Sequence, residues 1–316
     1  MRAFNVPEPG AQPVVSDLPV PEVTEGTVLV RVHNAALNAI DNALASGAMA
    51  EMMPHAYPLV LGRDAAGVVE AVGAGVDHVA AGDEVIGHIL LAPPIQAGTL
   101  AEYALLPAAA VAAKPAGLDF ATAAALPLAG TAAYASVEAL DVQPGQVVLV
   151  VGATGGVGSY AVQLLAARGA TVVATGTPAD ADRLTGLGAA RVVDHTSGTP
   201  VADQVTTAYP DGVDALIDLV SHSPDGLPLG ALRKGGKVAS TLNAADERVL
   251  AAAGLSGSNI MATPVREVIE PLAAQAAEGT VKADIATVLP LEQAADGLAT
   301  LAAGHARGKI IINVGD

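Results

Sequence analysis

The stretch QVVLVVGATGGVG, residues 146–158, decides the fold. Residues 146–151 form an unbroken apolar run, the pattern of a strand covered on both faces of a sheet. A glycine-rich turn follows at once, and residues 156–168 then read as a helix. In the G-x-G-x-x-G frame the glycine positions fall at 153, 155 and 158, so Ala153 stands in for the first. Gly155 lets a pyrophosphate approach the backbone, and Gly158 lets the helix pack closely on the strand. The helix N-terminus offers unpaired N–H groups and a positive dipole end to phosphate oxygens. A lone glycine motif is weak evidence, but one set between a strand and a helix reads as a dinucleotide loop.

Outward from this loop the same texture continues. Strands are expected at 171–175, 191–193, 215–220 and 238–242, with a short one near 259–261; helices are expected at 121–140, 179–187, 201–208 and 226–232. Six apolar strands joined by right-handed crossovers make a doubly wound Rossmann domain with a six-stranded parallel sheet. The N-terminal part differs. Residues 27–33 (TVLVRVH) alternate apolar and charged positions, as a half-buried strand does. Further strands are read at 65–72, 84–87 and 100–106, with Gly73, Gly75, Gly82 and Asp83 as turn formers. Many short strands and little helical pattern indicate an all-β, barrel-like unit. The tail reads as helix 265–279, strand 283–289, helix 291–304 and a closing strand 309–314.

Composition bounds the function. The 316 residues are long enough for about two domains, each with its own core. A net charge of −17, with no Lys/Arg cluster, argues against nucleic-acid and acidic-membrane binding. Without Cys there is no disulfide, thiol nucleophile or thiolate metal ligand. Residues 1–5 lack an apolar signal core, and no run of about 18 uncharged apolar residues follows, so a soluble, cytoplasmic protein is expected.

The rim of the second parallel strand bears on the choice of dinucleotide. NAD sites place an Asp or Glu about 20 residues past the loop, on the ribose 2′-OH. Here the strand ends Thr175-Gly176-Thr177-Pro178, without a carboxylate, which leaves room for a 2′-phosphate. Arg183 adds a positive charge one turn into the next helix, unless it pairs with Asp180 or Asp182 on its own helix. NADPH is the expected cofactor.

Several motifs spread over the chain share a pattern. They are Ala36-Leu37-Asn38-Ala39-Ile40-Asp41, Leu61-Gly62-Arg63-Asp64-Ala65-Ala66-Gly67-Val68-Val69, Gly82-Asp83-Glu84-Val85 and Gly98-Thr99-Leu100-Ala101-Glu102-Tyr103. Gly130-Thr131-Ala132, the loop 152–158, Arg233-Lys234-Gly235-Gly236-Lys237 and Gly304-His305-Ala306-Arg307-Gly308-Lys309 complete it. With these the chain resembles the medium-chain dehydrogenase/reductases, in the zinc-free quinone oxidoreductase (zeta-crystallin-like) branch. The resemblance implies an α/β protein with a GroES-like β-barrel catalytic domain over 1–117, a Rossmann domain over 118–262 and a return to the catalytic domain over 263–316. It also implies a homodimer.

The zinc-dependent branch carries Cys near Asn38 and Gly-His-Glu where this chain has Gly62-Arg63-Asp64. With no Cys, and seven His without metal-ligand spacing, no metal site is expected. Arg63 and Asp64 read as a structural ion pair or turn lock.

Carried over residue by residue, the resemblance places Asn38 beside the nicotinamide, where it bonds the ribose or an acceptor carbonyl. The plainer reading of Asn38 is the turn before a helix. Thr131 matches a Thr lying against the nicotinamide ring, with a helix cap as its alternative. Thr154, Gly155, Gly156 and Val157 match the pyrophosphate loop; Thr175 and Thr177, with Arg183, match the adenosine-ribose rim. His195 matches the adenine end. Val220, His222, Leu242, Asn259 and Lys309 complete the cofactor set. A Tyr that serves several relatives as proton donor is replaced by Met49, and a thioether donates no proton. The proton then comes from solvent, from a ribose hydroxyl relay or from Tyr57. Met49, Met52, Tyr57 and Met261 are the expected substrate pocket, or else ordinary core.

Without a Lewis acid, hydride delivery suits an acceptor that is already electrophilic. The expected activity is NADPH-dependent reduction of a quinone or an α,β-unsaturated carbonyl. The alternatives are an enoyl-thioester or secondary-metabolite ene reductase, and a non-catalytic NADPH-binding structural or regulatory protein.

Overall fold

The computed structural model describes residues 1–304 and 306–315; His305, in the 304–309 motif, and Asp316 lie outside the described residues. The chain divides into two compact units, Met1–Thr131 with Thr263–Asp316, and Ala132–Ala262.

The first unit begins with β1 (Arg2–Val6), β2 (Val14–Asp17), β3 (Thr27–Ala36), α1 (Ala39–Ala45), β4 (Leu59–Val60), β5 (Asp64–Val72), β6 (Glu84–His88), β7 (Tyr103–Pro107) and β8 (Val111–Ala113). A short helix, α2 (Phe120–Ala124), follows, and then the start of the longer α3 (Pro127–Leu140). The single helix expected over 121–140 is therefore broken at Pro127, which has no N–H to continue a helix and instead opens a new one. Residues 118–131 stay with this unit, and Ala125 packs against Ala36 and Ile311 in one small cluster.

The second unit is built on β9 (Val147–Val151), α4 (Gly156–Ala167), β10 (Thr171–Gly176), α5 (Ala181–Gly186) and β11 (Ala189–Asp194). It continues through α6 (Val201–Ala208), β12 (Val213–Asp218), β13 (Leu232–Ser240), α7 (Glu247–Ala252) and β14 (Ser256–Asn259). All six strands are parallel, in the order β11-β10-β9-β12-β13-β14. The Rossmann sheet expected from the loop is thus present. Its strands β10 and β12 lie on opposite sides of β9, and the carboxyl ends at such a switch point are where open α/β sheets bind ligands. Leu149, Val173, Leu216 and Val238 form the centre of its core.

Two local expectations fail here. Residues 226–232 hold no α-helix but 3₁₀ turns at Pro224–Gly226 and Leu229–Ala231, because Pro224 and Pro228 remove the N–H groups a helix would need. β13 starts at Leu232, six residues early, its first half hidden in sequence by the exposed run Arg233-Lys234-Gly235. α7, which the sequence reading lacks, is capped by Asp246, whose carboxylate accepts from Arg248 N and Val249 N.

The tail returns to the first unit as α8 (Arg266–Ala277), β15 (Ile285–Pro290), α9 (Ala294–Ala302) and β16 (Lys309–Asn313). β16 pairs antiparallel with β3, and β15 parallel with β16, giving the sheet β15-β16-β3-β5-β6-β8 with β7 also on β3. Ile310 and Ile312 enter the same core as Val28, Val30, Val32, Leu37 and Leu61. The closing strand is therefore an integral wall of the barrel-like unit. A three-stranded sheet, β2-β1-β4, completes it. The sequence reading lacks β1, because its buried Asn5 breaks the apolar pattern; the Nδ2 of Asn5 is satisfied by Ala3 O, Val14 O and Ser16 Oγ. No described helix is long and apolar enough to cross a membrane.

Candidate functional site

In the second unit the glycine loop has the shape its sequence requires. Gly152 has φ +83, and a Cβ there would meet Val220 Cγ1 at 2.9 Å. A Cβ on Gly158 would fall 2.3 Å from Gly152 O and 2.5 Å from Ala153 Cα, so only glycine lets α4 pack on the loop. Gly155 is different: a Cβ there would have one neighbour within 4 Å, Gly152 O at 3.6 Å. Gly155 is the N-cap of α4, so the first-turn N–H groups of Gly156 and Val157 have no intrahelical acceptor. The loop is tight on its protein side and open on the other, which is the cradle a pyrophosphate needs. Ala153, in the first glycine position, is fully buried.

The rim residues are organised by local bonds. Thr175 Oγ1 accepts from Gly152 N at 3.0 Å, so β10 braces the loop. Thr177 donates through its N–H and its hydroxyl to Asp180 Oδ2, at 3.0 and 2.7 Å. Arg183 donates to Thr154 O at 3.2 Å and lies 3.6 Å from Asp180 Oδ1, so the pairing on its own helix and the contact with the loop both form. His195 Nδ1 lies 3.0 Å from Gly176 O, which fixes the proton on Nδ1 and leaves Nε2 as the open nitrogen at the end of β10.

Beyond β12, Asp218 accepts from Val220 N, Ser221 N and Ser221 Oγ, building the turn that carries an exposed Val220 and His222. Leu242 is half-buried just past β13. Asn259 spends both ends of its carboxamide on Ala245, accepting from its N at 3.0 Å and donating to its O at 3.2 Å.

In the first unit a buried polar cluster gathers residues far apart in sequence. Asp64, fully buried at the start of β5, accepts from Asn38 Nδ2 (2.9 Å), His88 Nδ1 (3.0 Å) and Leu128 N (2.9 Å), and lies 3.5 Å from Lys309 Nζ. Burial alone would raise its pKa; the Lys309 charge, then His88 and Asn38, outweigh that and hold the carboxyl below its ordinary value. Lys309 also donates to Leu37 O at 3.0 Å and Asn38 Oδ1 at 2.6 Å, so its ammonium has three acceptors.

Of the two readings of Arg63 and Asp64, ion pair or turn lock, this corrects the ion pair. Neighbouring side chains on an extended backbone point to opposite faces. Arg63 turns to Val60 O and Ala97 O, while Asp64 pairs with Lys309 and His88. His88 was missed altogether; only its register opposite Asp64 in the β5–β6 pair would have revealed it.

Asn38 is indeed the N-cap of α1, with its N–H donated to Asp41 Oδ2 at 2.8 Å. Both N–H groups of its carboxamide are used, on Asp64 and on Ala36 O. Thr131 sits inside α3, so it is not a helix cap; it is 2% exposed and its hydroxyl has no hydrogen-bond partner among the described residues. Tyr57, Met49 and Met53 pack half-buried against the first unit's core, whereas Met52 and Met261 are 74% and 88% exposed. Among the described residues no three His, Cys, Asp or Glu side chains converge as a metal-holding group.

Comparison with known proteins agrees with this architecture. Residues 24–116 match the alcohol dehydrogenase GroES-like domain, and residues 187–312 the zinc-binding dehydrogenase domain. The chain is 32% identical to the chloroplastic NADPH-dependent alkenal/one oxidoreductase of Arabidopsis thaliana, over 94% of this chain and 74% of that protein. It is 30% identical to the chloroplast envelope quinone oxidoreductase homolog of the same plant, over 93% of this chain and 92% of that one. The crystal structure of an NAD-dependent alcohol dehydrogenase superimposes with a TM-score of 0.87 at 32% identity, covering 100% of both chains.

Proposed function

Because this chain belongs to the medium-chain dehydrogenase/reductase superfamily, we propose that it is an NADPH-dependent, zinc-independent reductase of conjugated carbonyls, quinones or acyclic enones. The observation that carries the reading is the loop 152–158, closed at Gly158 and open at Gly155. The open backbone at Gly155 and the N–H groups of Gly156 and Val157 hold the pyrophosphate. NADPH, when bound, supplies the hydride from its nicotinamide ring.

NADPH is preferred over NADH on the chemistry of the rim. Near the tip of β10, Asp180 accepts both bonds from Thr177 and stands near Arg183, while Asp194, opposite Gly176 in register, accepts from the N–H and the hydroxyl of Thr196. Asp180 is thereby turned inward at 3% exposure, and a 2′-phosphate would meet the Arg183 guanidinium instead.

The resemblance assigns Asn38 and Thr131, both in the first unit, to the nicotinamide. With both donors spent, Asn38 has only a lone pair of Oδ1 to offer, which suits a ribose hydroxyl and not an acceptor carbonyl. The unpartnered Thr131 hydroxyl is the group able to donate to the developing oxyanion. Tyr57 or solvent then returns the proton. Zinc does not fit: Asp64 and His88 already bond one another, and Asp64 lies 3.5 Å from the Lys309 ammonium, which repels a dication. Homodimerisation through β14, a sheet edge whose four residues are all exposed, completes the proposal.

The test is oxidation of NADPH and of NADH at 340 nm, with an ortho-quinone and an acyclic enone side by side. NADPH-specific turnover of either acceptor is expected. Turnover with NADH alone refutes the cofactor assignment, and no oxidation with any pair refutes the activity.

A further inference from the structure

A single buried carboxylate fastens Asn38 and the first turn of the helix that carries Thr131. Asp64 Oδ2 takes the Asn38 carboxamide, and Asp64 Oδ1 takes the backbone N–H of Leu128. Leu128 is the second residue of α3, and Thr131 stands three residues later, on the same face one turn on. Asn38 closes the segment after β3, and Asp64 opens β5. The end of one strand and the first turn of a helix are thus tied to the same group.

We propose that Asp64 is the positioning residue of this enzyme, setting the Asn38 carboxamide and the Thr131 hydroxyl relative to one another, with His88 and Lys309 orienting the carboxylate. The inference rests on the reading of Asn38 and Thr131 given above. An ionised carboxylate is the side chain that the arrangement calls for, because the four groups bonded to or paired with Asp64 are donors: an amide, a backbone N–H, an imidazole N–H and an ammonium. An asparagine could accept on one oxygen only.

Stability alone does not account for the cluster. Buried ion pairs often do no better for a fold than apolar residues of the same volume. Fixed geometry does account for it, since a misplacement of about 1 Å at reacting groups costs on the order of 100-fold in rate.

Two sets of variants test this in the intact chain. Asp64→Asn with Lys309→Met removes both charges together, so no buried ion is left alone. At saturating NADPH its kcat is expected to fall on the order of 100-fold. His88→Asn keeps a donor at the place of Nδ1, and His88→Leu keeps apolar volume without the donor. His88→Leu is expected to lose about tenfold in kcat at unchanged KM for NADPH, and His88→Asn to recover most of it. The proposal is overturned if the double variant keeps kcat within about threefold of wild type, or if His88→Leu equals or exceeds His88→Asn.

Should the double variant fail to fold, the His88 pair decides. A readout without turnover separates this proposal from the activity. The Asn38 side-chain amide resonances, expected to exchange slowly in wild type and His88→Asn, should shift and exchange faster in His88→Leu. An inactive wild type would remove the reductase reading, and this amide comparison would still uphold or overturn the fastening by Asp64.

Discussion

Gly155→Ala and Gly158→Ala differ by one methyl at two positions of the same loop, and the geometry gives them opposite consequences. At Gly158 the new Cβ meets backbone atoms at 2.3 Å (Gly152 O), 2.5 Å (Ala153 Cα) and 2.8 Å (Ala153 C). Backbone cannot rotate away as a side chain can, so α4 must lift from the loop. Overpacking of this kind costs about 1–3 kcal/mol, and the backbone contacts place it at the upper end. At Gly155 the Cβ has only Gly152 O within 4 Å, at 3.6 Å, and φ is −81°, which any residue adopts.

The apo protein with Gly155→Ala should therefore keep its stability to within about 0.5 kcal/mol. Its methyl occupies the space a pyrophosphate needs, at a loss of one charge-assisted bond worth about 1.5–3 kcal/mol, or roughly 10- to 100-fold in Kd. Denaturant midpoints of the apo proteins and NADPH titration by nicotinamide fluorescence separate the two effects. If Gly155→Ala binds NADPH as wild type does, or if Gly158→Ala leaves the unfolding midpoint unmoved, the cradle assignment is wrong.

Two further outcomes are expected. Arg183→Ala should raise KM for NADPH by about tenfold more than that for NADH, because both cofactors lose the Arg183 brace on Thr154 O of the loop but only NADPH loses a guanidinium partner for its 2′-phosphate; steady-state kinetics with both cofactors decide it. Lys309→Met alone breaks a buried pair and should cost about 3–5 kcal/mol of stability at neutral pH. The sign of its pH dependence follows from Asp64. In wild type the native carboxyl lies below its unfolded value, so its stabilisation is full above about pH 4 and fades as pH falls through the native value. Without the Lys309 charge the native carboxyl rises, so the deficit of Lys309→Met against wild type should shrink as pH is lowered from 7 towards 4 in urea titrations. A deficit that grows on acidification would contradict the pairing.

The parts of this molecule legible in sequence are those encoded locally. The loop 152–158 announces itself because strand, turn and helix are contiguous, and the parallel sheet follows from strands that are apolar throughout. The return of the closing strand to the first unit came from the resemblance, and β16 against β3 realises it. The expected helix at 226–232 fails because its apolar residues are interleaved with Pro228 and Gly230, which chain-local propensity should have penalised.

The polar cluster around Asp64 could not be read at all. Asn38, Asp64, His88, Leu128 and Lys309 come from five separate segments, and the register of β3, β5, β6 and β16 together with the docking of α3 brings them together. The same limit applies to side chains whose residue type fits a ligand but whose atoms find a nearer partner. Thr175 braces Gly152, and Asn259 clamps Ala245. Hydroxyls and carboxamides bond the nearest backbone, and which backbone is nearest is a property of the fold.

The most direct test of the whole account is the fate of the label from NADPH carrying deuterium at both C4 positions of its nicotinamide, using wild-type protein and an acyclic enone in ordinary water. The account predicts one deuterium on the β-carbon of the saturated product, and a solvent proton on the α-carbon, by mass spectrometry and NMR. A product without label at the β-carbon, or no product from the enone and none from an ortho-quinone, would contradict it.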